Sequence, residues 1–210
     1  MTSTTVEFTT TFTSTVTSTV TSTSSLPGEE EICGNCLDDD GNGLTDYDDP
    51  ACCDGGTSGV MIVNRLRLRA RDTDSKLGVF ARLDGLVVDD LSGGNHGIDL
   101  QLADDPDAPF FCASFAPETL RASSRTLRFR DKHGEVAAAR GIASLRLRRK
   151  PSGRVKLRIG GKHVRFLVGD VPQLRVTVAV HETTGAQTQT RCLSAVEALR
   201  TTKGGGLRFP

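Results

Sequence analysis

Tryptophan is absent from the 210 residues, tyrosine occurs once and methionine twice. So few flat rings argue against the aromatic platforms on which sugar-binding and single-strand-binding β domains stack their ligands. No apolar run approaches the roughly 18 residues that a membrane-crossing helix needs. No basic start followed by an apolar core opens the chain, so no signal peptide is read from it. Met1 is therefore expected to lie away from the natural start. Catalytic signatures are missing as well. None of His96, His133, His163 and His181 sits in a metal-hydrolase spacing, and His181-Glu182 lacks the second histidine. There is no GxSxG elbow, and Gly160-Gly161-Lys162 lacks the upstream glycine of a phosphate loop. The chain is expected not to be an enzyme.

Lysine and arginine are also absent from residues 1–59, which hold 11 acids. The net charge of zero hides this asymmetry: residues 60–210 carry all 26 bases against 15 acids. An acidic arm thus precedes a basic domain. The arm begins with a tract in which 18 of residues 2–25 are Ser or Thr. Such a tract buries too little apolar surface to offset chain entropy, so residues 1–28 read as a disordered stalk.

Between arm and domain lies Cys33 to Cys53, CGNCLDDDGNGLTDYDDPACC. With Asp38 as position 1, Asp40, Asn42, Leu44, Asp46 and Asp49 fall at positions 3, 5, 7, 9 and 12, and Gly43 at 6. This is the calcium-loop pattern: alternating oxygens wrap one hard cation, a backbone carbonyl serves at position 7, and glycine permits the sharp turn. Position 12 is Asp rather than Glu, and Pro50 cannot donate to an exiting helix, so disulfides are expected to clamp the loop instead. Six acids in twelve residues should repel one another until a cation enters. The segment resembles the Asp-rich loops of dockerin and thrombospondin type 3 repeats, and more closely the Cys-flanked DDDGDGLxDxxDPxC cassettes of secreted bacterial proteins. The resemblance implies calcium, with Kd of order 10⁻⁴–10⁻³ M in extracellular modules.

Six cysteines, four of them in this cluster, favour disulfides and an oxidising compartment. Cys33 and Cys36 have zinc-ligand spacing, but the adjacent Cys52 and Cys53 suit a tetrahedral site poorly. A bond between Cys52 and Cys53 would be strained. Two pairings stay open: Cys33–Cys52 with Cys36–Cys53, or Cys33–Cys53 with Cys36–Cys52. Cys112 and Cys192 are expected either to bond to each other or to remain buried thiols.

Residues 29–54 are read as the cassette and 55–59 as a Gly-rich hinge. From residue 60 the apolar period is two, as in Leu145-Arg-Leu147-Arg and Leu174-Arg-Val176-Thr-Val178. That marks half-buried antiparallel strands. Only 137–140 and 195–200 look helical. Landmarks recur at an offset of 79 or 80: Leu66 and Leu145, Cys112 and Cys192, Leu127-Arg-Phe129 and Leu207-Arg-Phe209. The expected fold is all-β, an antiparallel sandwich built from two copies, 63–131 and 142–210, with a closed barrel as the alternative. The second copy ends with the chain, so the C-terminus is expected to be natural. The FRDKHG turn followed by IASLRLRRKPSGRVKLRI resembles C-terminal domains of secreted bacterial proteins and implies no activity and no site residues.

The reading is a secreted or cell-surface structural or binding module with a structural calcium ion. An alternative is a binder of polyanions, an acidic polysaccharide above all, with nucleic acid not expected. A second alternative is a β-sandwich hydrolase.

Overall fold

The computed structural model describes residues 30–53, 57–69, 75–86, 91, 94–104, 108–165, 171–202 and 206–209. The expected stalk, 1–28, lies outside them, as do Gly55 and Gly56 of the expected hinge. Thr57 to Gly59, also assigned to the hinge, already belong to a strand.

The chain is all-β. Among the described residues twelve strands follow in order: β1 (Thr57–Arg69), β2 (Ser75–Asp84), β3 (His96–Asp104), β4 (Ala108–Phe115), β5 (Arg121–Ser123), β6 (Thr126–Arg130), β7 (Ile142–Arg149), β8 (Val155–Val164), β9 (Gln173–Thr184), β10 (Gln187–Ala198), β11 (Arg200–Thr201) and β12 (Leu207–Phe209). The two segments expected to be helical form no α-helix. Residues 137–139 form one turn of 3-10 helix, and 195–198 lie in β10. There β9, rich in Val and Thr, offers a twelve-residue ladder, and pairing with it overrides the helical preference of the alanines.

The strands make one curled sheet, in the order β4-β3-β9-β10-β1-β2-β8-β7-β6-β5, with β12 pairing β1 and β11. All pairings but β1 with β10 are antiparallel. A sheet this long curls because its strands twist. The curl brings its far ends together, so that Phe115 of β4 meets Phe129 of β6 edge-on, with ring centroids 4.9 Å apart. The inner face is one continuous apolar core to which Leu66, Val79, Leu100, Leu147, Leu157 and Val178 contribute from six strands. Truncating one such leucine to alanine costs about 2–5 kcal/mol.

Several pairings match the sequence offset of 80. On β2 and β8, Val79 faces Ile159; on β3 and β9, Asp99 faces Ala179. Phe129 and Leu127 face Leu145 and Leu147 across β6 and β7, and Phe209 and Leu207 face Leu66 and Leu68 across β12 and β1.

The two ends of the sheet differ on the outer face. Along β8 the side chains alternate between buried and exposed. Along β3 almost every residue is buried. Ile98, Leu100 and Leu102 face the core, whereas Asp99 and Gln101 point the other way and are buried too. Something covers the outer face of β3 and β9, and it is the cassette.

Candidate metal loop and basic surface

The cassette has almost no regular structure. Two single 3-10 turns, Asp46–Asp48 and Pro50–Cys52, are its only elements. Pro50 starts the second turn, where its missing N–H is no loss, and Asp49 caps it by accepting from the amide of Ala51 at 2.5 Å.

Three disulfides fix it: Cys33–Cys52, Cys36–Cys112 and Cys53–Cys192. The first is one of the bonds expected. The expected partners of Cys36 and Cys53 are corrected, because both reach out to the sheet. The expectation for Cys112 and Cys192 is corrected as well. Their strands, β4 and β10, are separated by β3 and β9. Three strand intervals put them about 14 Å apart, beyond the roughly 7 Å that a disulfide can span. Each instead grips one part of the cassette, which lies over β3 and β9 between them. No described cysteine is free, so no thiolate is left for zinc.

Polar contacts complete the docking. The Tyr47 hydroxyl donates to the Asp99 carboxylate, and His181 Nε2 lies 2.7 Å from the same Oδ2. The other ring nitrogen of His181 lies 2.9 Å from the Thr190 hydroxyl. The Tyr47 amide donates to Gln101 Oε1 at 3.3 Å, and Arg175 pairs with Asp48 at 2.8 Å. Burial pulls the Asp99 pKa upward, but the hydrogen bonds and charge of His181, with Tyr47 and Ser114, outweigh it and hold the carboxyl below its ordinary value. Burial, and then the Asp99 charge, push the Tyr47 phenol well above its usual range. A phenol so placed stays protonated and serves as a donor. Gly34 admits this packing: a Cβ there would sit 3.1 Å from both the Tyr47 hydroxyl and Asp99 Oδ2.

The expected calcium ligands divide. Asp38 Oδ2 accepts from the Gly43 amide at 2.9 Å, and Asn42 donates through its side chain to Asp40 and Asp49. Asp38, Asp40, Asn42 and Asp49 are thus tied into one loop. Leu44 enters through its amide, which donates to Asn42 Oδ1 at 2.7 Å, while its side chain is exposed. Asp46 turns away. It is wholly buried, with left-handed backbone (φ +50°), and its carboxylate accepts from the amides of Gly34, Asn35 and Cys36. Burial raises its pKa more than these three amides lower it, and Glu31 adds repulsion. The Cys112 sulfur lies 3.3 Å from Asp46 Oδ2, but as half of a disulfide it offers a metal no thiolate.

Glu31 was missing from the sequence-based ligand set. Its Oε2 accepts from the Asp39 amide and its Oε1 from the Asp46 amide, both at 2.8 Å. It joins Asp38 and Asp40 in a group whose oxygens lie within 4.8 Å of one another. Nothing in a twelve-residue spacing rule that starts at Asp38 marks a residue seven positions upstream. The donor set is all oxygen and strongly anionic, which suits a hard divalent cation such as calcium and not a soft one.

The uncovered outer face is basic. Arg121, Arg128, Arg146, Arg158, Phe80 and Arg65 stand directly opposite one another across β5, β6, β7, β8, β2 and β1. Phe80 is flanked by two guanidiniums, with Arg158 5.5 Å and Arg65 5.8 Å from its ring centre. Arg148, Lys156 and Arg82 form a neighbouring row, in which Arg82 pairs with Asp84 at 2.7 Å. The Arg146 guanidinium is held below its usual range, first by Arg128, then by partial desolvation, Arg148 and Arg158. The arginines therefore stand close enough to repel one another.

Comparison with known proteins gives no match, whether to a family model, a curated protein or a solved structure. Three disulfides point to an oxidising setting. No helix among the described residues is long and apolar enough to cross a membrane.

Proposed function

We propose that the chain is a secreted or surface-displayed binding module, not an enzyme, in which a structural calcium ion holds the cassette in shape. The approach of the Glu31, Asp38 and Asp40 carboxylates within 4.8 Å carries the reading. A cation among three like charges so close would relieve their repulsion, and Asn42 and Asp49 stand beside them. Asp46 is reassigned from ligand to anchor of the segment that bears Cys36. The expected outcome of adding calcium to chelator-treated protein is a rise in Tm, with about 3 kcal/mol gained once calcium exceeds Kd a hundredfold. Paired Asp38→Asn and Asp40→Asn substitutions should abolish the rise. An unchanged Tm in the wild-type protein would overturn the reading.

A second reading concerns the contact surface and is favoured by the arginine rows. The module takes an acidic polysaccharide along its bare outer face. Six positions at strand spacing run about 24 Å, a length that suits an extended anionic chain. The oxidising setting favours an extracellular polymer over nucleic acid, and the lone Phe80, already flanked by guanidiniums, is a poor stacking platform for bases. Salt-dependent retention on heparin tests it, and elution at low salt would count it out. The matching registers of the two halves support reading the body as two copies of one unit, 63–131 and 142–210.

A further inference from the structure

A cavity of about 670 Å³ opens where the end of β8 meets the turns between β6 and β7. It is distinct from the arginine rows and from the metal loop. Lys132, His133, Arg140, Lys162, His163 and Arg165 line it. Among the described residues that line it the only acid is Asp131, and both of its oxygens are engaged: Oδ1 accepts from the amides of His133 and Gly134, and Oδ2 from that of Val136. Four permanent cations thus face one carboxylate already held by the backbone.

The backbone here is unusual as well. Only four non-glycine residues among those described have positive φ, namely Cys36, Asp46, Arg140 and His163. Two belong to the cassette and two to this cavity. Arg140 (φ +45°) ends the 3-10 turn, and His163 (φ +64°) lies in β8. The segments bearing them are pressed together at Gly141, where a Cβ would meet the His163 carbonyl oxygen at 2.6 Å. The Lys162 amide donates to the Gly141 carbonyl at 3.2 Å and locks the contact. Left-handed backbone at a non-glycine residue is costly, and such residues concentrate where a side chain must be aimed. Glycine or asparagine at position 140 would relieve the cost, yet an arginine stands there.

We propose that this cavity is a binding site for a small organic oxyanion, a phosphate or sulfate ester. Guanidinium forks match the paired oxygens of such groups, and the lysines add point charge. The volume lies within the range of small-molecule pockets and exceeds what a bare ion needs, so the anion is carried on an organic body. The inference requires neither the calcium loop nor the polysaccharide reading.

The test is titration of the full chain at constant ionic strength, set with sodium chloride, using inorganic phosphate, inorganic sulfate, a hexose 6-phosphate and a hexose 6-sulfate. Binding is followed by amide chemical shifts. Saturable shifts at residues 131–143 and 160–165, with an ester binding more tightly than its bare ion, are the expected result. The tighter of the two esters identifies the oxyanion. Arg140→Asn should weaken binding at least about tenfold, as the loss of a charged hydrogen bond does, while Tm holds or rises because asparagine tolerates the left-handed region. Arg165→Ala should weaken binding similarly. Arg146→Gln, on the outer face, should leave it unchanged. Absence of saturable shifts, shifts centred on the arginine rows, or affinity indifferent to both pocket variants would overturn the proposal.

Discussion

The two ends of the outer face are built on the same ladders and treated in opposite ways. Over β4, β3, β9 and β10 the outward residues include Asp99, Gln101, Thr177 and Ala179, and they are buried beneath the cassette. Over β6, β7, β8 and β2 the outward positions carry arginine and lysine and stay open. The covered part is held by two disulfides, an ion pair and a buried Tyr–Asp–His contact. The open part is held from beneath by the shared core alone. One apolar core thus underlies the whole sheet, and at one end covalent and polar links are added to it. Perturbations should separate the two.

The largest effect is expected from cutting the longest covalent link. Cys53 and Cys192 are 139 residues apart, and closing that loop is worth about 5 kcal/mol in the chain-entropy estimate. Replacing both with serine should lower the urea midpoint steeply. Hydrogen exchange should rise first at Asp99, Gln101 and Thr177, because they lose their cover, and not at Leu147 or Leu157. Uniform loss of protection would break the comparison, since the cassette would then support the whole body.

Next comes Tyr47→Phe. It removes one donor from a buried carboxylate that is only 6% exposed and keeps the ring. Leaving Asp99 short of a partner should cost about 1–3 kcal/mol. Thermal unfolding reads the loss, and a change under a few tenths of a kcal/mol would show that the contact is incidental.

How much of this was legible beforehand divides along the same line. Asp38 to Asp49 could be grouped as one polar loop because the rule is local, and one residue's position dictates the next. The alternation of the body announced strands for the same reason. The docking was not legible. Cys36 and Cys53 find partners 76 and 139 residues away, and cysteine spacing says nothing about which strands lie between. Cys112 and Cys192, expected to pair or to stay thiols, each bond a cassette cysteine instead. A signal of the cover was present: outward positions from Gly97 to Ala103 and from Thr177 to Ala179 hold no lysine or arginine, unlike those of β7 and β8. An outward face without lysine or arginine lacks the solubilising charge that β7 and β8 carry, which marks it as a face to be covered. Glu31 and the inward turn of Asp46 depend on the folded path of the loop and could not be counted from spacing.

A smaller effect concerns acid. The Asp99 carboxyl is held below its ordinary value, so its contribution to stability is complete above the unfolded pKa of about 3.9 and is lost as pH falls through the lower folded value. Asp46 acts in the opposite sense. Its pKa is raised, so its buried charge weakens the fold at neutral pH, and acidification through the raised value relieves that cost. Urea midpoints measured from pH 6 downward should therefore fall only on the acid side of about 3.9. Asp99→Asn should start lower and flatten that limb. An identical acid limb in the variant would place the acid sensitivity elsewhere.

The smallest change in stability, and the sharpest contrast, belongs to single arginines. Arg146 stands between Arg128 and Arg158 on neighbouring strands, and their charges depress its own pKa. Removing one member of a mutually repelling set relieves the others, so Arg146→Gln should leave Tm unchanged or slightly raised while shortening heparin retention and making its salt dependence shallower. Arg175→Gln is the same substitution in the covered part, where the guanidinium pairs with Asp48 of the cassette. There Tm should fall and heparin retention should hold. If both variants lost stability, the open face would be part of the scaffold. If neither altered retention, its arginines would serve solubility alone. Opposite outcomes from one substitution at two positions would establish that charge holds the cassette on one part of the sheet and is kept available for a ligand on the other.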